Sequence, residues 1–126
     1  MSRPPSVLAA VAALMGAAGV GLAAAGVHQN GGDLALRGAQ FLILHACAAL
    51  AVAAHARIAP VATARRLVIA GFVMEAGAAL FSAELAMRAF TGERIFPFAA
   101  PIGGSTMLIA WLALALILAA GGRRSP

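Results

Sequence analysis

From Val7 to Val27 the chain carries no charged side chain, a run about as long as the ~20 residues an α-helix needs to cross hydrocarbon. Three more apolar runs follow, from about Gly38 to Arg57, Arg65 to Ala89 and Ala100 to Gly121. Within a bilayer every backbone N–H and C=O must be satisfied without water. Runs this long are about twice the ~9 to 11 residues of a barrel strand, so helices are the consistent solution. The expected fold is therefore all-α: an integral membrane four-helix antiparallel bundle. It forms one transmembrane domain over residues 1–126, with helices at approximately 6–27, 38–57, 65–89 and 100–121.

Composition supports the same solvent. The chain is 63% hydrophobic and 10% charged, against roughly 45 to 50% and about 25% in soluble domains, so its surface belongs in lipid. Arg3 before the first run and Ala23 to Ala25 near its end imitate a cleavable signal. The run exceeds the ~7 to 15 residues of a signal core, which favours a retained helix. Asn30, Gly31, Gly32 and Asp33 supply positive-φ and capping positions for the first turn. Pro60 ends the second helix, Arg65 and Arg66 open the third, and Thr91 to Arg94 break the chain before Pro101, a proline suited to a first helical turn.

Nine arginines, no lysine and four acids give a net charge of +5. The arginines sit at the edges of apolar runs and no aromatic residues interleave with them, so the partner they suggest is a lipid head-group layer and not nucleic acid. Arg3, Arg57, Arg65, Arg66, Arg123 and Arg124 fall on one side and Arg37, Arg88 and Arg94 on the other. The positive-inside bias then places both termini on the cytoplasmic side of the cell's inner (plasma) membrane. Cys47, the lone cysteine, has no disulfide partner and reads as a small packing residue.

Charges within a membrane helix cost about 2.5 to 3.5 kcal/mol near its centre, so each requires a reason. Glu75 shares a helical face with Gly71, Ala78 and Ser82 and is expected to point into the bundle, as a protonated or hydrogen-bonded carboxyl or as a proton or cation site. Glu84 falls on the opposite face, and Arg88 one turn later suggests an interfacial ion pair. His45 and Ser82 are expected at similar depth. With Ser105 and Thr106 they would form a polar cluster at the outer end, where His45 locks two helices through a carbonyl or hydroxyl. His28 and His55 fall at opposite membrane edges, and His28 and His45 differ in level by roughly 10 Å at 1.5 Å per residue, which disfavours haem. No nucleophile set, phosphate loop or zinc spacing appears, so the reading is non-enzymatic, with no cofactor and no metal.

Helices in lipid associate by close backbone approach. Helix one offers two small-residue pairs, Ala12 with Gly16 and Gly19 with Ala23, for packing within the chain first and against a second copy next. The segment Pro97-Phe-Ala-Ala-Pro101-Ile-Gly103-Gly104, with Trp111 beyond it, resembles the last helix of the domain of unknown function 423 family of small membrane proteins. Gly21 to His28, Leu44-His45 and Gly77 to Ser82 resemble the family in the same order. The resemblance implies a four-span inner-membrane protein and no defined activity. On physical grounds Pro101 starts the helix and Gly103 with Gly104 admit a close neighbour, so Gly104→Leu is expected to unpack this corner. The functional expectation is a scaffold or accessory subunit that meets a membrane-protein partner or forms a homo-oligomer. The alternative is a small channel or transporter for protons or a small solute that uses Glu75 and His45.

Overall fold

The computed structural model describes residues 3–30 and 32–121. It contains four helices: α1 (Arg3–His28), α2 (Gly32–Ala56), α3 (Val61–Thr91) and α4 (Ala99–Gly121). All four are long and apolar enough to cross a membrane. Gly31, Arg123 and Arg124, which entered the turn and orientation arguments, lie outside the described residues.

The helices extend beyond the apolar runs, most of all at their amino ends. α2 begins at Gly32 and not near 38, and α3 at Val61 and not at 65. The cause is that charge marks where hydrocarbon ends, whereas a helix continues until a residue breaks it. Asp33 suits the amino-terminal end of α2 by opposing the helix dipole, and Arg65 with Arg66 continues a helix already started after Pro60. Asn30 and Gly32 adopt left-handed backbone at φ 56° and 60°, as the turn residues suggested. Gly92, at φ 75°, closes α3 with its N–H donating to the Arg88 carbonyl at 3.1 Å, a common left-handed C-terminal cap.

Consecutive helices run antiparallel. Pro4 and Pro5 share a groove with Arg57 and Arg65, and Gly121 shares one with His55 and Pro60, so α1 begins and α4 ends beside the α2–α3 turn. Among the described residues, backbones approach closely between α1 and α2, α2 and α3, α3 and α4, and α1 and α3, but not between α4 and either α1 or α2. The bundle is thus a three-helix cluster with α4 leaning on α3. α3 occupies the centre and carries eleven buried residues against five each on α1 and α4.

Glycine and alanine set these approaches. On α1, a Cβ at Gly19 would lie 2.6 Å from the Ile43 side chain and 3.3 Å from the Ala39 carbonyl, and one at Gly26 would lie 2.9 Å from Ala35. Leu8, fully buried, fills the space left by Gly71 on α3. The tightest backbone crossing joins α3 to α4, where a Cβ at Gly103 would stand 2.7 Å from the Phe81 nitrogen and 2.8 Å from the Gly77 carbonyl oxygen. Gly104 has room, its nearest such neighbour being Phe81 Cδ2 at 4.0 Å. The expectation that Gly104 carries this corner is corrected accordingly: a helix turns about 100° per residue, so only one of two adjacent glycines can face the partner backbone. Cys47 is exposed and looks away from the helix contacts, so it is not the packing residue expected.

Candidate functional site

His45, Glu75, Ser82 and Glu84 are the buried polar or charged side chains among the described residues. They do not converge on one centre. Each occupies a different contact of the bundle, and three of the four have partners.

Ser82 on α3 donates from Oγ to the Gly38 carbonyl of α2 at 2.8 Å. Gly38 has no side chain to obstruct that approach, and the bond ties α2 to α3 in the half of the bundle that holds the α1–α2 and α3–α4 connections. His45 lies seven residues further along α2 than Gly38, about 10 Å at 1.5 Å per residue. It is therefore not at the depth of Ser82, contrary to expectation. The earlier start of α2 lengthens that helix outward, and His45 sits correspondingly deeper.

The indole Nε1 of Trp111 on α4 donates to His45 Nε2 at 3.1 Å, and His45 Nδ1 lies 2.7 Å from the Phe41 carbonyl oxygen. An indole N–H only donates, so Nε2 is the acceptor and the imidazole proton sits on Nδ1, which donates to Phe41. Both ring nitrogens are occupied, and neither offers a lone pair to haem iron or a metal. The expected lock between helices forms, but through Trp111 and not through Ser82, Ser105 or Thr106. Thr106 turns back to the Ile102 carbonyl of its own helix at 2.7 Å, and Ser105 is exposed. The expected four-residue polar cluster is thus absent from the described residues. Trp111 also lines a groove of about 410 Å³ between α2 and α4, and its bond to His45 is a strut between helices whose backbones stay apart. Trp111→Phe is expected to lower stability in detergent by about 1 kcal/mol. An unchanged thermal midpoint would show that the strut bears no load.

Glu84 is 2% exposed, and its Oε2 accepts from the Ile95 backbone N–H at 2.8 Å. The interfacial ion pair expected with Arg88 does not form among the described residues. The carboxylate instead lies over the α3–α4 connection, satisfying an N–H that the segment from Gly92 to Phe98 leaves outside any helix. The i to i+4 spacing permitted a pair, but a charge-assisted bond to a loop amide within the fold outcompetes an exposed bridge worth little.

Glu75 differs from the rest. It is 2% exposed, on the face with Gly71, Ala78 and Ser82 as expected, yet neither carboxyl oxygen has a hydrogen-bond partner among the described residues. Of the two carboxyl states expected, protonated or hydrogen-bonded, the hydrogen-bonded one does not form among the described residues. The seven-residue step from Ser82 back to Glu75, matched by the step from Gly38 to His45 on the antiparallel α2, puts Glu75 and His45 at one level. His45 is engaged with α4 through Trp111, and no bond joins it to Glu75. Glu75 does not line the grooves beside the α2–α3 turn, between α2 and α4 or between α3 and α4. Among the described residues no group of three His, Cys, Asp or Glu is placed to hold a metal ion.

Four helices long and apolar enough to span, short connections and an exposed surface rich in large hydrophobic side chains define a small multi-pass membrane protein. The chain belongs to the family described as protein of unknown function (DUF423), whose model matches residues 15–104. The match takes in the four buried polar residues and Gly103 and stops before Trp111. No solved structure matches the chain.

Proposed function

We propose that this protein is a non-enzymatic scaffold or accessory subunit of the inner (plasma) membrane, with both termini in the cytoplasm, that receives a transmembrane partner or a second copy against α1. The supporting observation is that α1 has two small-residue faces and uses one. Gly19 and Gly26 are buried against α2. Ala10, Ala13, Ala17, Gly21 and Ala24 form an opposite ridge, all exposed, and a Cβ added at Gly21 would meet nothing within 4 Å. A ridge of this kind lets another helix approach at backbone distance, the main source of attraction between helices in lipid.

Crosslinking in native membranes followed by mass spectrometry tests this directly. The wild-type chain is expected to capture a membrane protein or itself, and Gly21→Leu to lose that product with an unchanged thermal midpoint. Recovery of monomer alone from wild type would overturn the proposal. A reporter fused after the carboxyl terminus and active only outside the cell would overturn the orientation.

One observation favours a second reading, a small channel or transporter for protons or a small solute: the buried Glu75, without a hydrogen-bond partner among the described residues. Intramembrane carboxyls commonly mark ion pathways. His45, with both nitrogens engaged, would then hold helices and leave the relay to Glu75. Liposomes without Glu75-dependent flux across a panel of ions would eliminate this reading.

A further inference from the structure

The groove between the first turn of α1 and the α2–α3 connection has a volume of about 440 Å³. Its walls include Pro5, Val61, Val68 and Ile69, and two arginines, Arg57 and Arg65, contribute to its lining. Val68 and Ile69 carry the apolar wall up α3, toward the level of the hydrocarbon. Arg57 is oriented by its Nη2 donating to Ser6 on α1 at 2.9 Å, so one guanidinium is held at the junction of the helices.

Among the described residues the charge at this end is unbalanced. Arg3 and Arg66 stand at the same end as Arg57 and Arg65, while Asp33, Glu84 and Glu93 lie toward the opposite end and Glu75 is in the middle of α3. No carboxylate of the described chain reaches these guanidiniums, and the partner seen for Arg57 is a neutral hydroxyl. A cationic mouth above an apolar wall complements an amphiphile with an anionic head and an alkyl tail. A free anion would leave the wall uncovered, and a zwitterionic lipid brings its own cation to the mouth.

We propose that this groove is a binding site for an anionic phospholipid, with the phosphate between Arg57 and Arg65 and an acyl chain along Val68 and Ile69. Basic pockets between transmembrane helices recognise acidic head groups by this combination of charge and apolar contact.

Native mass spectrometry of the full-length protein in detergent, titrated with dioleoylphosphatidylglycerol or dioleoylphosphatidylcholine, tests the site. The wild type is expected to bind the glycerol lipid in preference to the choline lipid. Arg57→Gln with Arg65→Gln should weaken glycerol-lipid binding about thirtyfold, at the usual contribution per arginine near an anionic head group. Arg37→Gln with Arg94→Gln, at the other end, should leave it unchanged. Ile69→Trp, which keeps both arginines and fills the groove, should also reduce occupancy and serves if the double variant fails to fold. Equal binding of the two lipids by wild type, or wild-type binding by Ile69→Trp, would overturn the proposal. Lipid release by inorganic phosphate but not by chloride of equal ionic strength would also overturn it, because the site would then be one for a free anion.

Discussion

Gly103→Leu is expected to detach α4 from α3 and lower the stability of the detergent-solubilised protein by about 3 kcal/mol, the upper end of ordinary overpacking. The first atom beyond Cα would already stand 2.7 Å from the Phe81 nitrogen and 2.8 Å from the Gly77 carbonyl oxygen. These are backbone atoms of a helix and cannot step aside as a side-chain end can. The crossing would widen, and the Trp111 to His45 bond, which depends on α4 staying in place, would be lost with it. Gly104→Leu is the control, since its nearest neighbour stands at 4.0 Å, and it should melt close to wild type. A Gly103→Leu protein with a wild-type midpoint, or a Gly104→Leu protein with the larger loss, would refute this assignment. Gly77→Ala and Gly103→Ala obstruct one contact from its two sides, so the double variant should lose less than the sum of the singles.

Glu75→Met is expected to act in the opposite direction and raise stability by about 2 kcal/mol. A buried polar group without a hydrogen bond costs about 1 to 3 kcal/mol by mutational measures, and an apolar side chain of similar length avoids that cost. The comparison with Glu84 sharpens the test, because both carboxyls are 2% exposed. Glu84→Met should destabilise, since it strands the Ile95 N–H now bonded at 2.8 Å. Thermal unfolding of the two variants side by side decides the matter. A fall for Glu75→Met comparable to that for Glu84→Met would mean that Glu75 has a donor in the folded protein. Stabilisation together with loss of ion flux would instead identify a group kept for function at the expense of stability, and would favour transport over scaffolding.

Much of the candidate site was legible from single helices. The face of α3 that holds Gly71, Glu75, Ala78 and Ser82 follows from about 100° of rotation per residue, and all four are buried. The opposition of Glu75 and Glu84 follows from the same rotation. What was not legible lies between helices. The spacing of Glu84 and Arg88 permits an ion pair within α3, and nothing local reveals that the Ile95 amide, eleven residues on, takes the carboxylate first. Trp111 was noted for its place after Gly103 and Gly104. Its role as donor to His45, 66 residues away, depends on the orientation of α4 across a groove.

The chain's own order of residues determined four spans, their alternating direction and the inward face of α3, because in lipid each helix must satisfy its backbone by itself and hydrophobic length is a local property. Tertiary structure decided which of two adjacent glycines meets a backbone, that α4 leans on α3 without closing against α1, that His45 pairs with Trp111, and that among the described residues Glu75 is the buried polar group left without a hydrogen-bond partner. Those outcomes depend on the axial offset and rotation of one helix against another. Small-residue surfaces allow many such offsets, and the choice among them is made by contacts that the sequence of a single helix does not contain.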